Sequence, residues 1–461
     1  MKRMYPTLLA AILLIAGCHG DGNDPSNTFT APVTEIVMPN VGPFGVTVSP
    51  DGTRAIVPMT GSYSPSITGN TIAVIDTATD QVLKTLTVGD RPQDVAFSED
   101  GSRAYVTNSS SATLSVIDLS TLSVIDTISV GDPFESSTWY GTYPYGITIK
   151  DGKAYVTTGI YPGAADKGIV IVDVNPLNNS TYHTVVGEFD MTGNFTRGSF
   201  RPGTTEWITP RNRTTGQELA IYDFSNDTYL TSIELKEATG STAHGFEDLA
   251  ITPNGKYAYT ALFTYGSSMP VVEVYVVDLE ERKLIDILTI NSGDNSAHGL
   301  AMSPDGLLVG VTSWNVGKVS WISTVTHTVV REDFVGGNPN EIAFTSDGAK
   351  VYVTNQASQN VSVIRLPSSH QLLRNMFETA TMTPDTTSDL SWRMEELQSA
   401  VDSGNENMTG VFMNDVSIQM RYWSEQGGFL VGDQKDLTPL GAGENNLPTP
   451  VTMGGINANL Q

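Results

Sequence analysis

Short runs of alternating apolar and polar residues recur along most of this chain, each closed by a tight turn. The clearest unit spans residues 91–131. It opens with an apolar strand at 95–97, turns at Ser98-Glu99-Asp100-Gly101, and continues through Tyr105-Val106-Thr107-Asn108 and Val116-Ile117-Asp118 to a last run at 124–130. β-branched and aromatic runs of this length signal strands, and the Pro, Asp and Gly between them signal turns. The turn element returns at 49–52, 98–101, 149–152, 200–203, 252–255, 303–306 and 345–348. A period of about fifty residues marks a repeat architecture. Seven such units of four strands predict an all-β fold, a seven-bladed β-propeller of four-stranded blades.

Two strands of the unit carry a recognisable motif. The second reads Tyr105-Val106-Thr107-Asn108, Tyr155-Val156-Thr157 and Tyr352-Val353-Thr354-Asn355. The third ends in aspartate, as in Val74-Ile75-Asp76 and Ile171-Val172-Asp173. That aspartate is expected to cap the following turn, a structural role. Over about residues 34–366 the pattern resembles the YVTN-repeat family of β-propellers, relatives of surface-layer and periplasmic propeller proteins. The resemblance blurs in blade four, where Trp207-Ile208-Thr209 stands for Tyr-Val-Thr. It blurs again in blade six, with Gly310-Val311-Thr312 and with Ser323 in place of the aspartate. Only six fourth strands follow the seven third strands. Residues 33–39 read as the missing one, so an N-terminal strand is expected to complete the last blade and remove the ring's open seam.

Topology selects a working face. The turns between strands one and two and between strands three and four are short and regular. The connections on the opposite face are long, at 59–70, 132–145, 159–167 and 263–270. Binding residues concentrate on variable loops held by a rigid scaffold. These loops bring Tyr63, Trp139, Tyr140, Tyr143, Tyr145, Tyr161, Phe263, Tyr265 and Trp314. Such aromatics either stack on a ligand or pack the loops onto the blades. The residues entering each first strand should border the central channel: Phe44, Gln93, Tyr145, Glu247, His298 and Asn340, with Phe195 or Arg197 in blade four. The expected mouth therefore comprises Phe44, Gln93, Trp139, Tyr140, Tyr145, Glu247, His298 and Asn340. His244 lies three residues before Glu247, so His244, Glu247 and His298 form a candidate transition-metal site. The competing reading has them hydrogen-bonding loop backbone around a wet channel, with no cofactor at all.

Composition narrows the setting. The chain has 461 residues, 25 basic against 50 acidic, for a net charge of −25. A polyanion without a basic run argues against nucleic acid as partner. Lys2 and Arg3 precede a short apolar run at 8–16, and Ile15-Ala16-Gly17-Cys18 resembles a bacterial lipobox. Residues 1–17 read as a signal peptide too short to span a bilayer. Cys18, the sole cysteine, reads as the lipidation site. His19 after it resembles the outer-membrane sorting pattern, and residues 18–32 suit a tether. Beyond the propeller at 33–366, residues 367–440 read as a partly helical extension. Helices are expected at 370–379 and 389–401, with Ser388 as N-cap, and a strand or two at 410–423. Residues 441–461 read as a disordered tail. Methionines cluster after residue 370, and their irregular spacing favours packing over copper binding.

No CxxC, GxSxG, P-loop or GxGxxG context is present. The leading expectation is a monomeric, lipid-anchored binding or scaffold module of the cell envelope, in the outer membrane. Its long-loop face would hold an envelope protein, a glycan or a small ligand. One alternative is a metal-assisted hydrolase or lactonase-like enzyme at the channel mouth; another is a surface-layer-like structural component. The sequence leans against an enzyme, because no acid–base pair stands at a recognisable spacing.

Overall fold

A computed structural model describes residues 33–63, 66–132, 143–158, 168–189, 194–213, 216–226, 228–237, 244–264, 272–290 and 296–367. Beyond these it describes 373, 380–382, 384–403 and parts of 412–430. Seven antiparallel sheets follow one another around a ring. Blade two is the regular case, with strands Pro92–Phe97, Arg103–Asn108, Thr113–Asp118 and Ser123–Ser129. Its inner two strands after the first alternate on a pleat buried on both sides: Tyr105, Val106, Leu114, Val116 and Ile117 are fully covered. Each such side chain contributes about 1.5–3 kcal/mol when removed from water.

The motif residues hold the blades to one another. Tyr352 donates its hydroxyl to Asp80 Oδ1 at 2.6 Å, and Tyr105 approaches His183 Nε2 at 3.3 Å, in both cases a turn of the next blade. Thr107 donates to the Tyr145 carbonyl at 2.8 Å, Thr312 to the Asn340 carbonyl at 3.0 Å and Thr354 to the Phe44 carbonyl at 2.6 Å. Asn108 and Asn355 instead donate within their own blades, to Ser115 and Ser362 at 2.9 Å. The turn-capping role of the third-strand aspartates is seen at Asp76 and Asp118, whose Oδ1 atoms accept two backbone N–H groups each. Ser323 does the same in blade six, accepting from the N–H groups of Val325 and Thr326.

The ring closes through its first strand. Val33–Val37 lies antiparallel on Asn360–Arg365, with Val33 opposite Ile364 and Val37 opposite Asn360. Ile36 and Met38 join Tyr352, Val361 and Val363 of blade seven and Val46, Val57 and Ile75 of blade one in a single apolar cluster. Asp80 adds a polar latch at this junction, accepting from Lys350 at 3.0 Å and Arg365 at 2.7 Å.

Three expectations need correction. Residues 59–70 are not a loop. Arg54–Tyr63 and Ser66–Asp76 continue pairing as one long hairpin, with a bulge between Met59 and Gly61. Gly and Thr there masked the strand signal. Gly69 lies so close to the facing strand that a Cβ would meet the Met59 carbonyl oxygen at 1.9 Å. In the extension the helix runs Pro384–Asp402, so Ser388 lies inside it and Asp385 occupies the first turn. Pro at a first helical position costs no hydrogen bond. Finally, the described residues of 410–423 are helical rather than extended: 412–413, 415–417, 419–420 and 422–423. Phe412, Val416 and Met420 recur at four-residue spacing and pack with Leu390, Met394 and Leu397 onto Leu307 and Val325 of blade six. The period was four, not two. Residues 1–32 with Cys18, most of 370–379 and the segment 441–461 lie outside the described residues.

Candidate functional site at the channel mouth

The first strand of most blades carries a bulge at its entry. Register shifts fall between Pro92 and Val95, Pro144 and Ile147, Phe246 and Leu249, Ala297 and Leu300, and Pro339 and Ile342. A bulge sets two residues opposite one and re-aims a side chain. Strict alternation would send the second residue of each pair away from the channel. Here the pairs are Gln93-Asp94, Tyr145-Gly146, Glu247-Asp248, His298-Gly299 and Asn340-Glu341. The second-strand threonine marks the second member, because Thr107, Thr312 and Thr354 accept from the N–H groups of Asp94, Gly299 and Glu341, and Thr260 donates to the Asp248 carbonyl. In blade four Thr209 donates to the Arg197 carbonyl. This corrects both candidates there: Phe195 is fully buried in the blade core, Thr196 holds the entry position, and Arg197 is the second member of the pair.

A charged cluster results that sequence reasoning largely missed. Arg197 Nη1 lies 2.5 Å from Glu341 Oε2, and its Nε lies 3.5 Å from Asp94 Oδ2. Its guanidinium sits 5.2 Å from the centre of the Tyr145 ring. Asp248 Oδ2 accepts the Leu300 N–H at 2.9 Å, and Asp94 Oδ2 accepts the Ile147 N–H at 3.2 Å, so each carboxylate also ties its blade to the next. Glu247 Oε2 lies 2.8 Å from His298 Nδ1. The His298 ring lies tilted by 34° against Trp314, with centroids 4.3 Å apart. Small residues make room: a Cβ on Gly299 would meet the Asn340 carbonyl oxygen at 2.5 Å.

The electrostatics follow from this crowding. Burial works against the Arg197 charge, but Glu341 and Asp94 outweigh it and hold the guanidinium well above its ordinary range. Burial pushes the Glu341 carboxyl well up, against the pull of Arg197, and the nearby charges of Asp248 and Asp94 add to the rise. Burial also raises Asp248, despite Arg197 and the Leu300 N–H. Of these two interacting acids, Glu341 is raised the further. Burial raises Glu247 too, yet the charge and hydrogen bond of His298, with Arg197, hold it below the usual carboxylate range.

The remaining expected mouth residues divide by place. Phe44 and Tyr145 meet edge to face at 6.3 Å, and with Tyr143 they form a small apolar cluster. Gln93 donates to Ser109 at 3.1 Å and to Tyr143 at 3.3 Å, and Asn340 donates to the Phe44 carbonyl at 3.1 Å. Trp139 and Tyr140 lie outside the described residues, as do Tyr161 and Tyr265. His244 begins a strand opposite Thr264, but its side chain is outside the description. Among the described residues, no three His, Cys, Asp or Glu side chains converge as a metal site. A separate cleft of about 250 Å³ opens on the short-turn face, lined by Glu99, Asp100, Arg103 and Asp151 among others. Its acids are spent locally: Asp100 accepts from Ser98 and Ser102, and Glu99 from the Asp151 N–H.

Comparisons with solved structures return propellers. Hydrazine synthase of Kuenenia stuttgartiensis is similar with a TM-score of 0.58 and 19% identity, covering 72% of this chain and 98% of that one. The β-propeller domain of Cps50 (Swd1) from Myceliophteria thermophila gives a TM-score of 0.53 and 12% identity, covering 73% of this chain and all of that one. Likeness at these identities shows the fold alone. No family model and no curated protein sequence matches the chain.

Proposed function

We propose that this protein is a lipid-anchored binding or scaffold propeller of the cell envelope, of the YVTN-repeat kind, working through the mouth on its long-loop face. The observation that carries the reading is the convergence of blades two, four, five and seven on one charged cluster beside a small aromatic cluster. Its members are arranged to hold one another rather than to attack a substrate. Buried groups that satisfy each other make a rigid recognition floor. Cys18 carries the lipid, residues 18–32 form the tether, and the outer membrane is the destination. The partner is an envelope protein, a glycan or a small ligand, and the acidic mouth turns nucleic acid away.

Two measurements test the reading. Cys18→Ala should release the protein from membranes on fractionation; retention refutes the anchor. Affinity capture from envelope extracts, compared between wild type and Glu247→Lys at the mouth, should lose its partner in the variant. Equal capture by both refutes the mouth as the binding face.

The metal-assisted hydrolase keeps one supporting observation, the contact between Glu247 and His298. What weakens it is the missing third ligand: among the described residues no further His, Cys, Asp or Glu joins this pair as a metal site. Stoichiometric metal in the purified protein, lost in His298→Ala, would restore this reading.

A further inference from the structure

We propose that the mouth binds a monovalent organic cation, an ammonium or guanidinium head presented by a lysine or arginine side chain of a partner protein or by a free polyamine. This rests on the binding-module reading and names the ligand chemistry of the same site.

The charge count comes first. Asp94, Glu247, Asp248 and Glu341 converge around one guanidinium, Arg197, with His298 beside Glu247. Even with one proton shared between Asp248 and Glu341 and with His298 counted as a cation, three carboxylate charges face two positive groups. A low-dielectric mouth lined by one sign of charge focuses the field outward and raises the local concentration of counter-ions. Anionic ligands such as phosphates and carboxylates are repelled by the same field.

Reach is the second consideration. Most of the cluster lies below the surface, but the Glu247 side chain keeps 24% of its area open. It is the accessible anion, with the half-buried Trp314 beyond His298 as its neighbour. The site also shows an unmet acceptor. Gln93, at the matching position of blade two, is 1% exposed, and among the described residues its Oε1 has no donor, although its amide nitrogen is bonded to Ser109 and Tyr143. An unpaired buried acceptor costs about 1–3 kcal/mol, and a donor-only head group suits a mouth bounded by such atoms. Arg197 itself supplies the precedent: its guanidinium lies over the Tyr145 ring while meeting carboxylates, the cation–π and ion-pair pattern expected of the ligand. A divalent metal needs three or more ligands, which no group among the described residues supplies, whereas an organic cation can dock on one carboxylate and the rings.

The test is calorimetric titration of the mature full-length protein with Nα-acetyl-lysine methylamide, its Nε-acetylated counterpart, Nα-acetyl-arginine methylamide, spermidine and methyl glucoside. Binding of the cationic probes, with at least about tenfold loss on Nε-acetylation, is expected. Glu247→Gln should weaken the cationic probes about tenfold. Trp314→Leu, which keeps the charge, should weaken them about threefold. Asp100→Asn on the opposite face should leave them unchanged. Tighter binding of the lysine or arginine probe than of spermidine assigns the cation to a protein partner; the reverse assigns it to a free polyamine. Equal binding of the acetylated probe, or an equal loss in Asp100→Asn, overturns the proposal. So does methyl glucoside binding with no response to any amine, but that result leaves the binding-module reading standing. If Glu247→Gln fails to fold, the acetylation contrast and Trp314→Leu still decide the matter.

Discussion

Blade two and blade four share a strand plan but differ in how they are joined to the ring. In blade two the Tyr-Val-Thr-Asn strand serves assembly: the Thr107 hydroxyl reaches the Tyr145 carbonyl and Tyr105 reaches His183 in blade three. Blade four has Trp207 in the tyrosine position, and Thr209 bonds only its own blade, at Arg197 and Pro210. Its tie to blade five passes instead through Thr196 and Asn212, both donating to the Phe246 carbonyl. Its first strand is split into Asn194–Phe195 and Ser199–Phe200, and the gap delivers Arg197 to the axis. Where the inter-blade motif is relaxed, a charged side chain enters the channel. Regularity in this fold marks adhesion between blades, and irregularity marks the candidate chemistry.

The contrast presumes that both blades melt as parts of one closed ring, and the harshest challenge is to open it. Deleting residues 33–38 removes Ile36 and Met38 from the core and the last ladder of blade seven. The expected loss is about 5 kcal/mol or more, with a lower urea midpoint and still a single transition. Two separate transitions would show that the blades are independent and the comparison misplaced. Next in size is Arg197→Met, which leaves buried carboxylates without their cation. A loss of about 3–5 kcal/mol is expected in urea unfolding. A loss below about 1 kcal/mol would mean the cluster is wet enough to stand without it.

A smaller effect comes from proton linkage. Folded Glu341 holds a proton that the unfolded chain releases above the ordinary glutamate range. Its contribution is therefore complete at acid pH and declines as pH rises toward its folded value, by up to about 1.4 kcal/mol per pH unit. Glu247 acts oppositely: its contribution is present above the ordinary range and lost as pH falls below it. Above the ordinary carboxylate range the slopes of Glu341 and Asp248 share one sign, and Glu341→Gln should flatten their sum. An unchanged slope would place the proton elsewhere. The finest distinction is between threonines. Thr107→Val strands an acceptor in the next blade and should cost about 1–2 kcal/mol, whereas Thr209→Val should cost about 0.5–1 kcal/mol. Equal costs would erase the difference between the two blades.

How much of this could be read from the chain follows the same division. The blades, their number and the closing strand were legible because turn residues and period-two runs repeat seven times. The mouth positions Phe44, Gln93, Tyr145, Glu247, His298 and Asn340 were legible by alignment of those repeats. Asp94, Asp248 and Glu341 were not, because alternation sends the following residue to the other face and only a bulge turns it inward. A signal was present: that position holds Gly45, Asp94, Gly146, Arg197, Asp248, Gly299 and Glu341, nothing but glycine or a charged residue. The helical segment at 412–423 was misread because glycine and methionine near its start hide a four-residue spacing.

The pairing of Val33 with Ile364 also has a consequence in time. A ribosome extends a chain at about 5–20 residues per second, so the strand made first waits roughly 20–60 seconds for its partner to be synthesised. Until then the nascent polypeptide carries an unmatched edge at each end and has no finished circle. The last act of folding therefore waits for residue 364, and an exposed strand edge open to wrong pairing persists until it arrives.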